Sequence, residues 1–135
     1  MPKRLVLYTD GGARGNPGPA AGAFLALENG EVLKADSRFL GVRTNNQAEY
    51  EALILALDYA LGVGAEEVTC YLDSELVGRQ MKGEYSVKNL ELRRLYLKAH
   101  ALRVRFKKSE FYNVARTNGF IQKADALVNK TLDET

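Results

Sequence analysis

The order in which apolar runs and chain breakers alternate constrains this sequence more than any other feature. Leu5 to Tyr8 is a short apolar run, and a first strand is predicted over residues 3–9. Ala20 to Leu27 and Glu31 to Phe39 read as two more strands joined at Glu28-Asn29-Gly30, because Asn-Gly between apolar runs is a strong hairpin signal. The pattern then changes. Thr44-Asn45-Asn46 supplies the small polar residues of a helix N-cap, and a helix is predicted to about Leu61, stopping at Gly62. Val68 to Leu72 is a fourth strand, followed by a short helix over Ser74 to Met81 and a longer basic helix over Asn89 to Leu102. Residues 103–105 fit either state. Ser109 to Val114 reads as a fifth strand and Ile121 to Leu132 as a last helix. Three strands followed by alternating helices and strands predict an α/β domain, a five-stranded mixed sheet flanked by helices. With no repeat, low-complexity tract or linker, a single domain over residues 1–135 is expected, large enough for its own core.

Charge is unevenly spread. Residues 1–78 carry 6 Lys/Arg against 11 Asp/Glu, whereas residues 79–123 carry 12 against 3. A basic block beside an acidic one suits a phosphate polymer held by one part and metal ions held by another, although a solvated helix face gives the same count. Cys70 is the single cysteine, so neither a disulfide framework nor a thiolate cluster is available. No apolar run reaches the length of a membrane span, and the apolar stretch after the basic Met1-Pro2-Lys3-Arg4 stops too soon for a signal peptide. A cytoplasmic protein without membrane partners, and a monomer, is the expectation.

Four carboxylates stand where carboxylates are costly. Asp10 is expected to end the first strand, ahead of a stretch with four glycines and two prolines in residues 11–19. Asp73 follows the fourth strand, and sites in α/β sheets form beyond the carboxyl ends of strands. Glu49 shares a helical stripe with Ala52, Leu53, Ala56 and Ala60. Asp125 shares one with Ile121, Val128 and Leu132. By contrast Glu51 and Asp58, seven apart, share another face and read as solvated. An ionised carboxylate buried without a partner is very unfavourable, and these stripes supply no Lys or Arg. Each acid alone has an ordinary explanation: a turn residue, an N-cap, a first-turn dipole partner or a helix-edge residue. Four together in one small domain point to a divalent metal, for which hard oxygen ligands suit Mg²⁺ or Mn²⁺.

The same residues resemble type 1 ribonuclease H. Tyr8-Thr9-Asp10-Gly11-Gly12-Ala13-Arg14-Gly15-Asn16-Pro17-Gly18-Pro19 is similar to that family's first motif, and Thr44-Asn45-Asn46-Gln47-Ala48-Glu49-Tyr50-Glu51-Ala52-Leu53 to its second. Tyr71-Leu72-Asp73-Ser74-Glu75-Leu76-Val77 is similar to the third, and Lys123-Ala124-Asp125-Ala126-Leu127-Val128-Asn129, more loosely, to the fourth. The resemblance covers nearly the whole chain. It implies the ribonuclease H-like fold and two-metal hydrolysis of the RNA strand of RNA–DNA hybrids, leaving 5′-phosphate and 3′-hydroxyl ends. It implies that Asp10, Glu49, Asp73 and Asp125 hold two Mg²⁺ ions, with Mn²⁺ as a substitute, and that Asp10 bridges them. It further implies hybrid contacts from Gly11, Gly12, Asn16, Thr44, Asn45 and Asn46.

Three features depart from the family pattern. The loop before Asp125 has no histidine; Arg116 stands there instead and is expected to hold substrate phosphate. Arg116 and Asp125 are nine apart, two more than in the family's handle-less form. The basic handle is missing, and residues 83–88 alone join the two middle helices. The only histidine, His100, lies inside the basic helix and is expected to be structural. Other readings are a nuclease of the same fold acting on double-stranded RNA or DNA, and a non-cleaving hybrid-binding module. A nucleotide-binding domain built on the glycine stretch is a further one, but the stretch lacks the Gly-Lys-Ser/Thr ending of a P-loop.

Overall fold

A computed structural model describes residues 2–135. Nine elements follow in the order β1 (Arg4–Ala13), β2 (Gly18–Glu28), β3 (Glu31–Arg43), α1 (Asn45–Gly62), β4 (Glu67–Leu72), α2 (Glu75–Met81), α3 (Leu90–Arg103), β5 (Lys108–Asn113) and α4 (Gly119–Asp133). The sheet has the strand order β3-β2-β1-β4-β5. β1 runs antiparallel to β2 and parallel to β4, which runs parallel to β5, so the sheet is mixed as expected. Adjacent parallel β1 and β4 bring the residues after Thr9 and Leu72 to the same edge.

Period-two alternation sorts β1 between the two faces. Leu5 and Leu7 join a core under α1 with Phe24, Tyr50, Leu53, Leu57 and Leu72. Val6 and Tyr8 face the other way, against Leu25, Ala124, Val128 and Leu132 beneath α4. α3 packs on α1 rather than on the sheet. Its apolar face makes the contact: Leu95 and Ala99 are buried, with Leu92, Tyr96 and Leu102 packed against the same core.

Several boundaries differ from expectation, β3 among them, which runs past Phe39 to Arg43. β1 does not end at Asp10 but continues to Ala13, pairing Asp10 with Ala23 and Gly11 with Gly22. The loop shrinks to the turn between β1 and β2, closed by the Arg14 N–H donating to the Pro19 carbonyl at 2.8 Å. Gly11 gives closeness rather than a turn. A Cβ on Gly11 would fall 2.3 Å from the Ala48 carbonyl oxygen, so only glycine lets α1 start this near the sheet. α1 runs through Gly62, with Val63 as its cap, and the positive φ (82°) that ends it belongs to Gly64. Among the described residues no helix is long and apolar enough to cross a membrane.

Candidate metal centre

The three acids of the central motifs converge. Asp10 sits in the ladder of β1, Glu49 in the first turns of α1, and Asp73 in the corner between β4 and α2. One carboxylate oxygen from each lies within 4.8 Å of the other two. Local sequence fixes each. Thr44 closes a capping box on α1: its Oγ1 accepts from the Gln47 N–H at 3.2 Å, and Gln47 Oε1 accepts from the Thr44 N–H at 2.9 Å. Ser74 caps α2 by accepting from the Val77 N–H at 3.2 Å, so Asp73 is left free of capping duty.

The turn and the helix start are stitched together. Asn16 Oδ1 accepts from the Asn45 N–H at 3.0 Å, and Asn45 Oδ1 accepts from the Ala13 N–H at 2.9 Å. Thus Asn16, Thr44 and Asn45, expected as substrate contacts, each commit an oxygen to shaping the rim. Gly11 is buried against α1. Gly12 and Asn46 line a cleft of about 380 Å³ together with Asp10, Glu49, Asp73, Asp125 and Arg116.

Asp125 corrects the sequence reading in one respect. Ile121, Val128 and Leu132 are buried, but Asp125 is exposed at the edge of their stripe. Its Oδ2 accepts from Asn129 Nδ2 at 3.3 Å, and it lines the same cleft as Asp10. It therefore closes the cleft from α4 without the burial that Asp10 and Glu49 undergo.

Electrostatically the cluster is starved of positive charge. Burial, then the neighbouring Asp73, push the Asp10 carboxyl up to about 8. Burial, then the charge of Asp10, raise that of Glu49 well above the ordinary carboxylate range. Glu49 Oε1 accepts from the Gly11 N–H at 3.3 Å, while its Oε2 is buried with no partner. An orphaned buried polar atom costs about 1–3 kcal/mol, more for a charged group. Among the described residues two arginines line the cleft: Arg14 is paired with Asp133 at 2.6 Å, and Arg116 lies with its Nε 3.2 Å from Asp73 Oδ2. That guanidinium is exposed, and exposed pairs contribute about 0–1 kcal/mol, too little to offset the burial. Consistently, burial outweighs Arg116 and the Asp73 carboxyl is also raised. Hard oxygen donors, an orphaned carboxylate oxygen and raised acids together fit divalent cations.

The chain matches the Reverse transcriptase-like family over residues 8–131. Its fold superposes on the crystal structure of RNase H1 from the archaeon Halobacterium salinarum with a TM-score of 0.94 at 37% identity, covering 98% of this chain and 99% of that one. The chain belongs to the ribonuclease H family. A second ribonuclease H1, designated LC11 and solved in complex with an RNA/DNA hybrid, superposes with a TM-score of 0.91 at 39% identity over 96% of this chain and 97% of that one. Ribonuclease HI of H. salinarum is 39% identical over 132 residues, 97% of this chain and 65% of that protein. A bifunctional protein of Mycobacterium tuberculosis is 40% identical over 132 residues, 96% of this chain but 36% of that protein. The chain thus spans from about a third to just under two thirds of these relatives' lengths.

Other positions of this ribonuclease H domain met expectation or escaped it. His100, expected to be a structural or surface histidine, is exposed on α3 with its ring stacked on Tyr96 at 5.8 Å. Glu51 is not simply solvated: it takes the Arg43 guanidinium at 2.8 Å. Asn113 escaped sequence reasoning altogether, since a polar residue closing a strand carries no signal until its partners are known. Its Nδ2 donates to the Ser74 carbonyl at 2.7 Å.

Proposed function

We propose that this domain is an endoribonuclease that hydrolyses the RNA strand of RNA–DNA hybrids with two divalent ions. The observation that carries the reading is the Asp10, Glu49 and Asp73 cluster with its orphaned Glu49 oxygen. The match to ribonuclease H structures, one of them solved with an RNA/DNA hybrid, supports the substrate class. Asp10, Glu49 and Asp73 would hold one ion, and Asp10 and Asp125 the other, Asp10 bridging both. Mg²⁺, or Mn²⁺ in its place, supplies at such a site an activated water and charge stabilisation of the leaving oxygen. Glu49 then has a second task, to accept a ribose 2′-hydroxyl, the group that distinguishes RNA from DNA. Gly12, Asn16 and Asn46 contact the hybrid along the rim, with Gly11, Thr44 and Asn45 behind them. Arg116 leaves Asp73 to hold substrate phosphate, since a permanently charged guanidinium can grip but not shuttle a proton.

Cleavage in this manner leaves 5′-phosphate and 3′-hydroxyl ends. Extension of the cut RNA by a polymerase that needs a 3′-hydroxyl tests this. The expected outcome is full extension without phosphatase treatment; ends that extend only after a 3′-phosphate is removed would contradict the mechanism. The same reading has the protein working as a monomer in the cytoplasm, where a lone buried thiol such as Cys70 is ordinary.

A further inference from the structure

Of the three converging acids, Asp73 has the least local support. Asp10 is held by a strand ladder and Glu49 by a capped helix, but Asp73 occupies the corner between β4 and α2. β5 ends beside that corner, with Asn113 in register with Leu72. The Asn113 amide donates to the carbonyls of Ser74 at 2.7 Å and Leu72 at 3.4 Å, the two residues that flank Asp73. The Val114 N–H adds a bond of 2.9 Å to the same Leu72 carbonyl. From the other side α2 presses in: a Cβ on Gly78 would lie 2.5 Å from Asn113 Oδ1 and 2.7 Å from Nδ2. The amide is wedged, and the two hydrogens of one NH₂ group match the two carbonyls.

We propose that Asn113 is a positioning residue for Asp73. It ties both sides of the β4–α2 corner so that the Asp73 carboxylate stays directed at Asp10 and Glu49. It acts through the backbone and touches neither metal nor substrate. Gly78 is the complementary part, a glycine that leaves room for the amide. Ligand sets tolerate displacements of only about 0.5 Å before the bound ion is held less well, so loosening this corner weakens metal binding ahead of hybrid binding. The proposal rests on the reading of the acid cluster as a metal site.

The test measures Mn²⁺ binding by electron paramagnetic resonance without nucleic acid, beside thermal unfolding in chelator and hybrid KM at saturating metal. Asn113→Ala is expected to weaken Mn²⁺ binding about tenfold, the scale of losing an outer partner of a metal ligand, and to leave hybrid KM unchanged. Gly78→Ala is expected to act in the same direction, because its methyl group displaces the amide. The double variant should bind Mn²⁺ no worse than Asn113→Ala alone, since the shortened side chain makes room. Asn113→Ser, a milder change, carries the same test where the alanine variant does not fold. Variants that unfold earlier yet bind Mn²⁺ like wild type would overturn the proposal, leaving Asn113 a structural residue only. Wild-type protein that binds no Mn²⁺ would instead sink the metal reading on which the proposal stands.

Discussion

Asp10 is the proposed ligand of both ions, and its charge state bears on the stability of the metal-free fold. Its folded carboxyl lies near 8, raised by burial and then by Asp73, against an ordinary value of 3.8. A carboxyl raised on folding favours the fold while protonated. Its contribution is complete below about 3.8 and is lost as pH climbs through about 8. Metal-free Asp10→Asn, which mimics the protonated acid, should therefore match wild type in melting temperature near pH 4 and exceed it increasingly up to pH 8. A constant difference across that range, measured by thermal unfolding in chelator, would contradict the crowding. The same substitution, like Glu49→Gln and Asp73→Asn, should nearly abolish hybrid cleavage. Asp125→Asn should also be inactive with Mg²⁺, its exposure allowing some recovery in Mn²⁺. His100 and Arg116 separate in the same assay. His100→Ala should keep near-normal kcat, whereas Arg116→Ala should lose about 10-fold, the scale of about 1.4 kcal/mol. A folded but inactive His100→Ala protein would overturn this assignment.

The elements were mostly legible in the sequence because their signals are local. The apolar stripe that includes Glu49 is buried in α1 as its spacing required, and Asn29-Gly30 closes the β2–β3 hairpin. What could not be read depended on partners distant in the chain. Gly11 belongs to the glycine-rich stretch expected after the first strand, yet it lies in the ladder of β1, where the start of α1 leaves no space for a side chain. Asp125 read as buried because periodicity places a residue on a helix face but does not say where the sheet beneath it ends. The donors around Asp73 come from the end of β5, some forty residues away, so no motif announces them. Gly11→Ala puts this account at risk. Its methyl group must push the Ala48 backbone, so a loss of about 1–3 kcal/mol in denaturant unfolding is expected, with Glu49 displaced and cleavage reduced. An unchanged midpoint would show that α1 can retreat freely.

At the scale of the molecule, the basic block does not gather beside the acid cluster: Arg116 reaches Asp73, but other members lie at the opposite end of the strands. Lys108 opens β5 in register with Glu67, itself paired with Arg4. Asp10 lies six residues further along β1, about 20 Å away at ~3.3 Å per residue. Several cations at the far edge are already engaged: Lys107 with Glu66 at 3.5 Å, Lys108 with Glu110 at 3.5 Å, and Arg103 with the Met81 carbonyl and the face of Phe111. The basic stretch was expected to supply phosphate contacts, and its far-edge members are badly placed for that. Lys107→Glu with Lys108→Glu should leave hybrid KM at low salt nearly unchanged, while Arg116→Ala raises it. Each lost phosphate contact would also flatten the log–log salt dependence by about 0.9 for a B-form duplex. A large KM increase from the lysine pair would mean that the hybrid wraps to the far edge.

The most direct measurement of the central claim is end-labelled cleavage of three matched duplexes, RNA–DNA, RNA–RNA and DNA–DNA, with Mg²⁺ and again with chelator. The RNA strand of the hybrid is expected to be cut with Mg²⁺, the DNA strand and the DNA duplex to remain whole, and chelator to abolish the cutting. Equal cutting of the RNA duplex would move the substrate class while keeping the metal site. A hybrid bound but left intact with both Mg²⁺ and Mn²⁺ would contradict the assignment of Asp10, Glu49, Asp73 and Asp125 as a catalytic metal centre.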